Sequence, residues 1–141
     1  MRIVGAPVSL QKVIEHLQKT RALDVRRIEA SEKVSGLLVV SNQLDTEYAT
    51  IGFNANHPWC RRRFTIAHEI GHLLLGHTCN DDDGDDSHNE TEANFFAAEL
   101  LMPRKILKKD FAISPEIPTL ARLYRVSDQS LSIQLMTARL I

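Results

Sequence analysis

"RRRFTIAHEIGHLLLGH", Arg61 to His77, holds three histidines and one glutamate in an apolar setting. Phe64, Ala67, Ile70, Gly71 and Leu74 recur at helical spacing, which predicts a helix from Trp59 to about Gly76. Pro58 suits its start and Gly76 its end. On such a helix His68 and His72, at i and i+4, share one face and can meet one metal ion. Glu69 follows the first of them directly, where a general base would stand beside a metal-activated water. Zinc lowers the pKa of such a water from 15.7 to about 7, so a carboxylate can take its proton at neutral pH. The five residues His68-Glu69-Ile70-Gly71-His72 form an HExxH motif, and the chemistry implied is metal-assisted hydrolysis of an amide. The plain alternative is a helix with two satisfied histidines. Phe64, Ile66 and Leu73–Leu75, which would bury the helix, weigh against it.

A catalytic zinc site takes three protein ligands, so the count is incomplete. The extended pattern HExxHxxGxxH needs Gly at 75 and His at 78, but Leu75 and Thr78 stand there. Gly76 and His77 are each displaced by one residue, so His77 reads as a helix-end or loop histidine. The other route is a glutamate from a second helix, predicted from about Glu90 to Met102 and stopped by Pro103. "NETEANFFAAELLMP" offers Glu90, Glu92 and Glu99. Glu90 ranks first. Asn94 lies one turn along the same face and could hydrogen-bond a metal-bound imidazole. Glu92 points away and suits solvent or a helix cap, and Glu99 suits a partly buried support. The plain alternative for all three is an acidic helix start facing the macrodipole.

Between the two helices, "TCNDDDGDDSHN" is a polar loop. Gly84 and Glu90 match the sixth and twelfth positions of a calcium loop, with Asp81 and Asp83 at the third and fifth. Its first position is Cys79, a soft ligand where calcium needs oxygen, so a solvated acidic loop is preferred.

Upstream, Val8 to Thr20 reads as an amphipathic helix with Ser9 as a cap. Three strand-like runs follow, Val25–Ala30, Gly36–Ser41 and Tyr48–Asn54, and "NQLD" between the last two can turn. An antiparallel meander is expected, with "GLLVVS" as a central strand. "YATIGFN" is then the edge strand of the cleft, where Ile51, Gly52 and Phe53 would bind an extended substrate by backbone hydrogen bonds. Tyr48, Tyr124, Arg125 and one of Arg61–Arg63 are candidate donors to a transition-state oxyanion. The tail has a helix–turn–helix cadence. Packing of Leu131, Leu135 and Met136 against the core is preferred over DNA reading, because only Arg122, Arg125 and Arg139 are basic there.

With 141 residues, 43% hydrophobic and 25% charged, the chain has the size and balance of one soluble globular domain spanning residues 1–141. A formal charge of −1 advertises neither a nucleic-acid nor a membrane surface. Five aspartates between Asp81 and Asp86 leave the remainder mildly basic. No signal-peptide core and no membrane-length apolar run is visible. Cys60 and Cys79 make no disulfide framework, so a reducing, cytoplasmic setting is expected.

"RRRFTIAHEIGHLLLGH" followed by "ETEANFFAAELLMP" closely resembles the ImmA/IrrE family of bacterial zinc metallopeptidases, over about Asn54 through Pro103. The resemblance implies an α+β, gluzincin-like fold: a small, mostly antiparallel sheet on the HExxH helix, a second ligand-bearing helix and a helical C-terminal tail. It implies one zinc ion held by His68, His72 and a glutamate of "ETEAN", with Glu69 catalytic. It also implies a protein substrate, often a helix-turn-helix repressor encoded nearby, with roles in stress response or mobile-element transfer. No DNA-binding domain fits before Val8, so a stand-alone peptidase with no direct nucleic-acid or membrane partner is expected. The competing function is a zinc-stabilised module that binds a partner without cutting it. A DNA-associated regulator acting through the tail is a third reading.

Overall fold

The computed structural model describes residues 5–77 and 87–141. The calcium-loop alternative at Cys79, Asp81, Asp83 and Gly84 lies outside them. Ser9 opens helix α1 (Leu10–Gln18) as expected, its Oγ accepting from the Lys12 N–H at 3.3 Å. Strands β1 (Ala22–Ile28), β2 (Gly36–Gln43) and β3 (Thr46–Asn54) form one sheet. Helices α2 (Trp59–Leu74), α3 (Ser87–Leu101), α4 (Arg104–Ile113), α5 (Ile117–Tyr124) and α6 (Asp128–Thr137) complete an α+β fold.

The sheet corrects the expected meander. Its order is β1-β3-β2, with β3 antiparallel to β2 and parallel to β1. Strand β3 is therefore central. Ile51, Gly52 and Phe53 are paired on one side with Val25, Arg26 and Arg27 and on the other with Leu38, Leu37 and Gly36. Their backbone groups have no free edge to offer a substrate. The apolar run in β2 misled for a physical reason. Leu38 and Val40 turn toward the core, whereas Leu37 and Val39 stand 40% and 54% exposed on an edge strand. An apolar run reports what covers the two faces of a strand, not whether its edges are paired.

One core cluster joins the inner sheet face (Leu23, Ala49, Ile51) to α1 through Val13 and to α2 through Ile70 and Leu73. The other packs Ala67 of α2 and Ala97 and Leu101 of α3 against Leu107, Leu120, Tyr124, Leu131 and Leu135 of the C-terminal helices. Leu131 and Leu135 are fully buried, so the apolar face of α6 is spent on this core. Met136, expected beside them, is 58% exposed. Leu74 likewise sits outside its expected stripe, 41% exposed.

Two buried polar groups brace this arrangement. Tyr124 Oη donates to Asp110 Oδ2 at 2.6 Å, and burial, then that carboxylate, pushes the phenol well above its ordinary pKa. Arg63 is buried and donates from Nε to the Arg125 carbonyl (3.3 Å) and from Nη2 to the Val8 carbonyl (3.0 Å). Burial, then Arg125, lowers its pKa, so its charge is held at a cost by carbonyl dipoles that tie α1 and the α5–α6 turn to α2.

The β2–β3 hairpin turns on Leu44 and Asp45, both with positive φ (49° and 63°), a two-residue loop of the type I′ class. Leu44 is 99% exposed, so nothing in its packing offsets the left-handed backbone. Leu44→Asn is expected to stabilise the fold by roughly 1 kcal/mol, read as a higher urea midpoint at unchanged m-value.

Candidate metal centre

The close approach of α2 and α3 builds the site. Gly71, inside the HExxH motif, faces Phe96. A Cβ there would lie 3.0 Å from Phe96 Cδ1 and 3.2 Å from Phe96 Cβ. The bare backbone at 71 lets α3 lie close enough to lower Glu90, in its first turn, onto the two histidines of α2. A carboxylate is also favoured at that position by the helix dipole.

His68 Nε2 lies 2.9 Å from Glu90 Oε2, His72 Nε2 lies 2.9 Å from Glu90 Oε1, and the two Nε2 atoms are 3.0 Å apart. His68, His72 and Glu90 are the group among the described residues able to hold a metal ion, with all ligand atoms within 4.8 Å of one another. Tetrahedral ligation at about 2.0–2.2 Å asks for ligand edges of roughly 3.3 Å, so a few tenths of an ångström of spreading admits an ion. Neutral imidazole is the ligating form. Burial, then the neighbouring His68, lowers the His72 pKa and keeps it neutral. Two imidazoles and a carboxylate fit a zinc-type donor set.

Glu69 is 8% exposed and lines the same cleft of roughly 440 Å³, with Lys33, Ser35, Gly36, Arg61, Phe64, Thr65, His68, Glu90 and Asn94. Burial, and secondarily Glu90, push its carboxyl up to about 7. The cleft wall opposite α3 comes from the β1–β2 loop. Asn54, 1% exposed, donates from Nδ2 to the carbonyls of Ala30, Ser31 and Val34 and folds that loop against the sheet. Gly36 brings the start of β2 onto α2: a Cβ would fall 2.5 Å from Thr65 Cγ2 and 2.6 Å from the Gly52 carbonyl oxygen. Sequence reasoning missed this wall, because Asn54 acts on residues twenty or more positions away.

The remaining candidates separate cleanly. Asn94 lines the cleft, yet no hydrogen bond joins it to an imidazole, and His68 Nδ1 is buried without a partner among the described residues. Asn94 stands in the same cleft as His68 without that bond in this arrangement. Glu99 accepts from Gln134 Nε2 at 3.0 Å and pairs with Arg104, the supporting role expected of it. Glu92 meets His77 and His88 rather than the ligand triangle. Ile51 is fully buried, and Phe53 lines a separate groove with Trp59 and Arg62. Of the candidate oxyanion donors, Arg61 alone lines the cleft, held to Ser35 Oγ at 3.2 Å. Tyr124 and Arg63 are committed elsewhere, Arg62 donates to the His57 carbonyl at 2.7 Å, and Tyr48 is not among the lining residues.

The Peptidase_M78 family model, described as the IrrE N-terminal-like domain, matches residues 19–136. The chain belongs to this family. No curated protein matches it. Among solved structures it is similar to a Mycobacterium tuberculosis transcriptional regulator, at 14% identity and a TM-score of 0.67. The match covers 94% of this chain and 42% of that chain, so this member of the IrrE-like family spans under half the regulator's length. At that identity the likeness concerns the fold. No helix among the described residues is long and apolar enough to cross a membrane.

The raised Glu69 carboxyl makes a prediction about the metal-free protein. A folded-state value near 7, against an ordinary 4.5, means that ionising Glu69 destabilises the fold. The cost is absent below pH 4.5, grows as pH rises, and is complete above 7. Metal-free Glu69→Gln should therefore melt above wild type at pH 8, by on the order of 1–3 kcal/mol, with the gap narrowing toward pH 4.5. A pH-independent offset in thermal melts would contradict this.

Proposed function

We propose that this chain is a zinc-dependent endopeptidase that cuts one specific protein, a helix-turn-helix transcriptional repressor encoded nearby. The observation that carries this reading is the Glu69 carboxyl, buried in the wall of the cleft that holds His68 and Glu90. Burying a carboxylate is costly, and a module that only bound its partner would have no use for one there.

His68, His72 and Glu90 would hold the ion. When bound, zinc acidifies water and polarises a carbonyl oxygen. Glu69 takes the water's proton on a carboxylate oxygen and delivers it to the leaving amide nitrogen. A carboxyl buried in the cleft wall next to His68 in sequence suits both transfers. Arg61, fixed by Ser35, faces the substrate and supplies a charged donor to a carbonyl or oxyanion.

An extended substrate lies along β2 rather than β3. Strand β2 is an edge of the sheet, and its first residue, Gly36, lines the cleft beside His68 and Glu69. Backbone pairing to that edge would carry a scissile bond past the metal, with Asn94 on the opposite wall.

The test is cleavage of the neighbouring repressor by zinc-loaded protein, followed on a gel. Glu69→Gln should keep its zinc and lose roughly 10²–10⁴-fold in rate. Repressor left intact but bound by the wild-type chain would favour the non-cutting module, and cleavage undiminished in Glu69→Gln would remove the mechanism.

A further inference from the structure

His77, one residue out of register for a ligand, is placed by the way α2 ends. Leu75 is the C-cap, and Gly76 follows in the left-handed region at φ +73°. The His77 N–H donates to the His72 carbonyl at 2.9 Å and the Gly76 N–H to the Leu73 carbonyl at 3.3 Å. These are the two bonds of a Schellman motif, with His77 as the residue after the turning glycine. The chain therefore doubles back and lays the His77 ring against the ring it follows. His77 Nδ1 stands 3.0 Å from His72 Nδ1, with ring centroids 5.2 Å apart.

From α3, Glu92 closes the other side. Its Oε2 is 3.4 Å from His77 Nε2 and its Oε1 is 2.6 Å from His88 Nε2. The His77 side chain is 10% exposed, whereas that of His88 is 83% exposed. His88 therefore covers the outside of the carboxylate, and His77 connects it inward.

Hydrogen-bond direction along this chain is fixed by chemistry. A neutral His72 that ligates through Nε2 carries its proton on Nδ1 and must donate it. The atom that faces it, His77 Nδ1, must then accept, so the His77 proton sits on Nε2. The carboxylate beside that nitrogen is Glu92, whose Oε2 lies 3.4 Å away and can only accept. Each atom has one consistent role. We propose that Glu92 and His77 are a positioning pair that fixes the tautomer and orientation of His72 as a metal ligand. The pair acts through His72 and is not itself a ligand. Among the described residues His68 has no matching support, since its Nδ1 meets no partner there, so affinity for the ion depends unevenly on the His72 side.

This inference rests on the metal-site reading, and one experiment separates the two. Zinc dissociation constants are measured by chelator competition on the full chain, with circular dichroism to confirm folding. His77→Ala should weaken zinc about 10–100-fold. His77→Asn, whose Oδ1 replaces the accepting Nδ1, should recover most of that loss. Glu92→Ala should weaken zinc several-fold, and His88→Ala should stay within about twofold of wild type. Should His77→Ala fail to fold, the His77→Asn and Glu92→Ala pair still decides. Zinc affinity unchanged in a folded His77→Ala or in Glu92→Ala, or His77→Asn no better than His77→Ala, overturns the positioning pair alone. A wild-type chain that binds no zinc overturns the metal site and the pair together.

Discussion

The contact between Gly71 and Phe96 is the constraint on which the site depends. Two histidines on one helix supply two of the three proposed ligands, and the third comes from another helix at hydrogen-bond range. A glycine at 71 removes the atom that would hold α3 away, and Phe96 fills the space. Close packing of α2 on α3 then fixes Glu90 against His68 and His72, Glu92 against His77, and Asn94 in the cleft wall. Protein interiors transmit such fits stiffly, because packing leaves little slack to absorb a displaced helix.

What could be read from the sequence follows from the range of each interaction. His68 and His72 are legible because helical periodicity is local: four residues on one helix decide that two rings share a face. Glu90 was reached from residue type and helix position, and the structure brings it to the two histidines. Asn94 shows the limit of that argument. Its place on the helix was right, but the depth at which His68 Nδ1 is buried depends on how α2 meets its neighbours. The order of the sheet was also out of reach, because alternation in "YATIGFN" describes faces and is silent on whether one neighbour or two pair with the strand.

His77 is a different case. Its dismissal as a ligand rested on a register of one residue, yet the same Gly76-His77 pair carries the signature of a helix end that folds back on itself. Gly76 is legible as the helix end, and following that end through its fold-back turn places the imidazole beside His72. A one-residue shift moves the side chain from the His68–His72–Glu90 triangle to the far side of the His72 ring.

X-ray absorption of the zinc-loaded chain reads the ligand set itself. Two imidazole nitrogens with the rest of the shell oxygen, at about 2.0–2.2 Å, is the predicted result. A sulfur shell near 2.3 Å, drawing on Cys60 or Cys79, or three imidazoles, would contradict it.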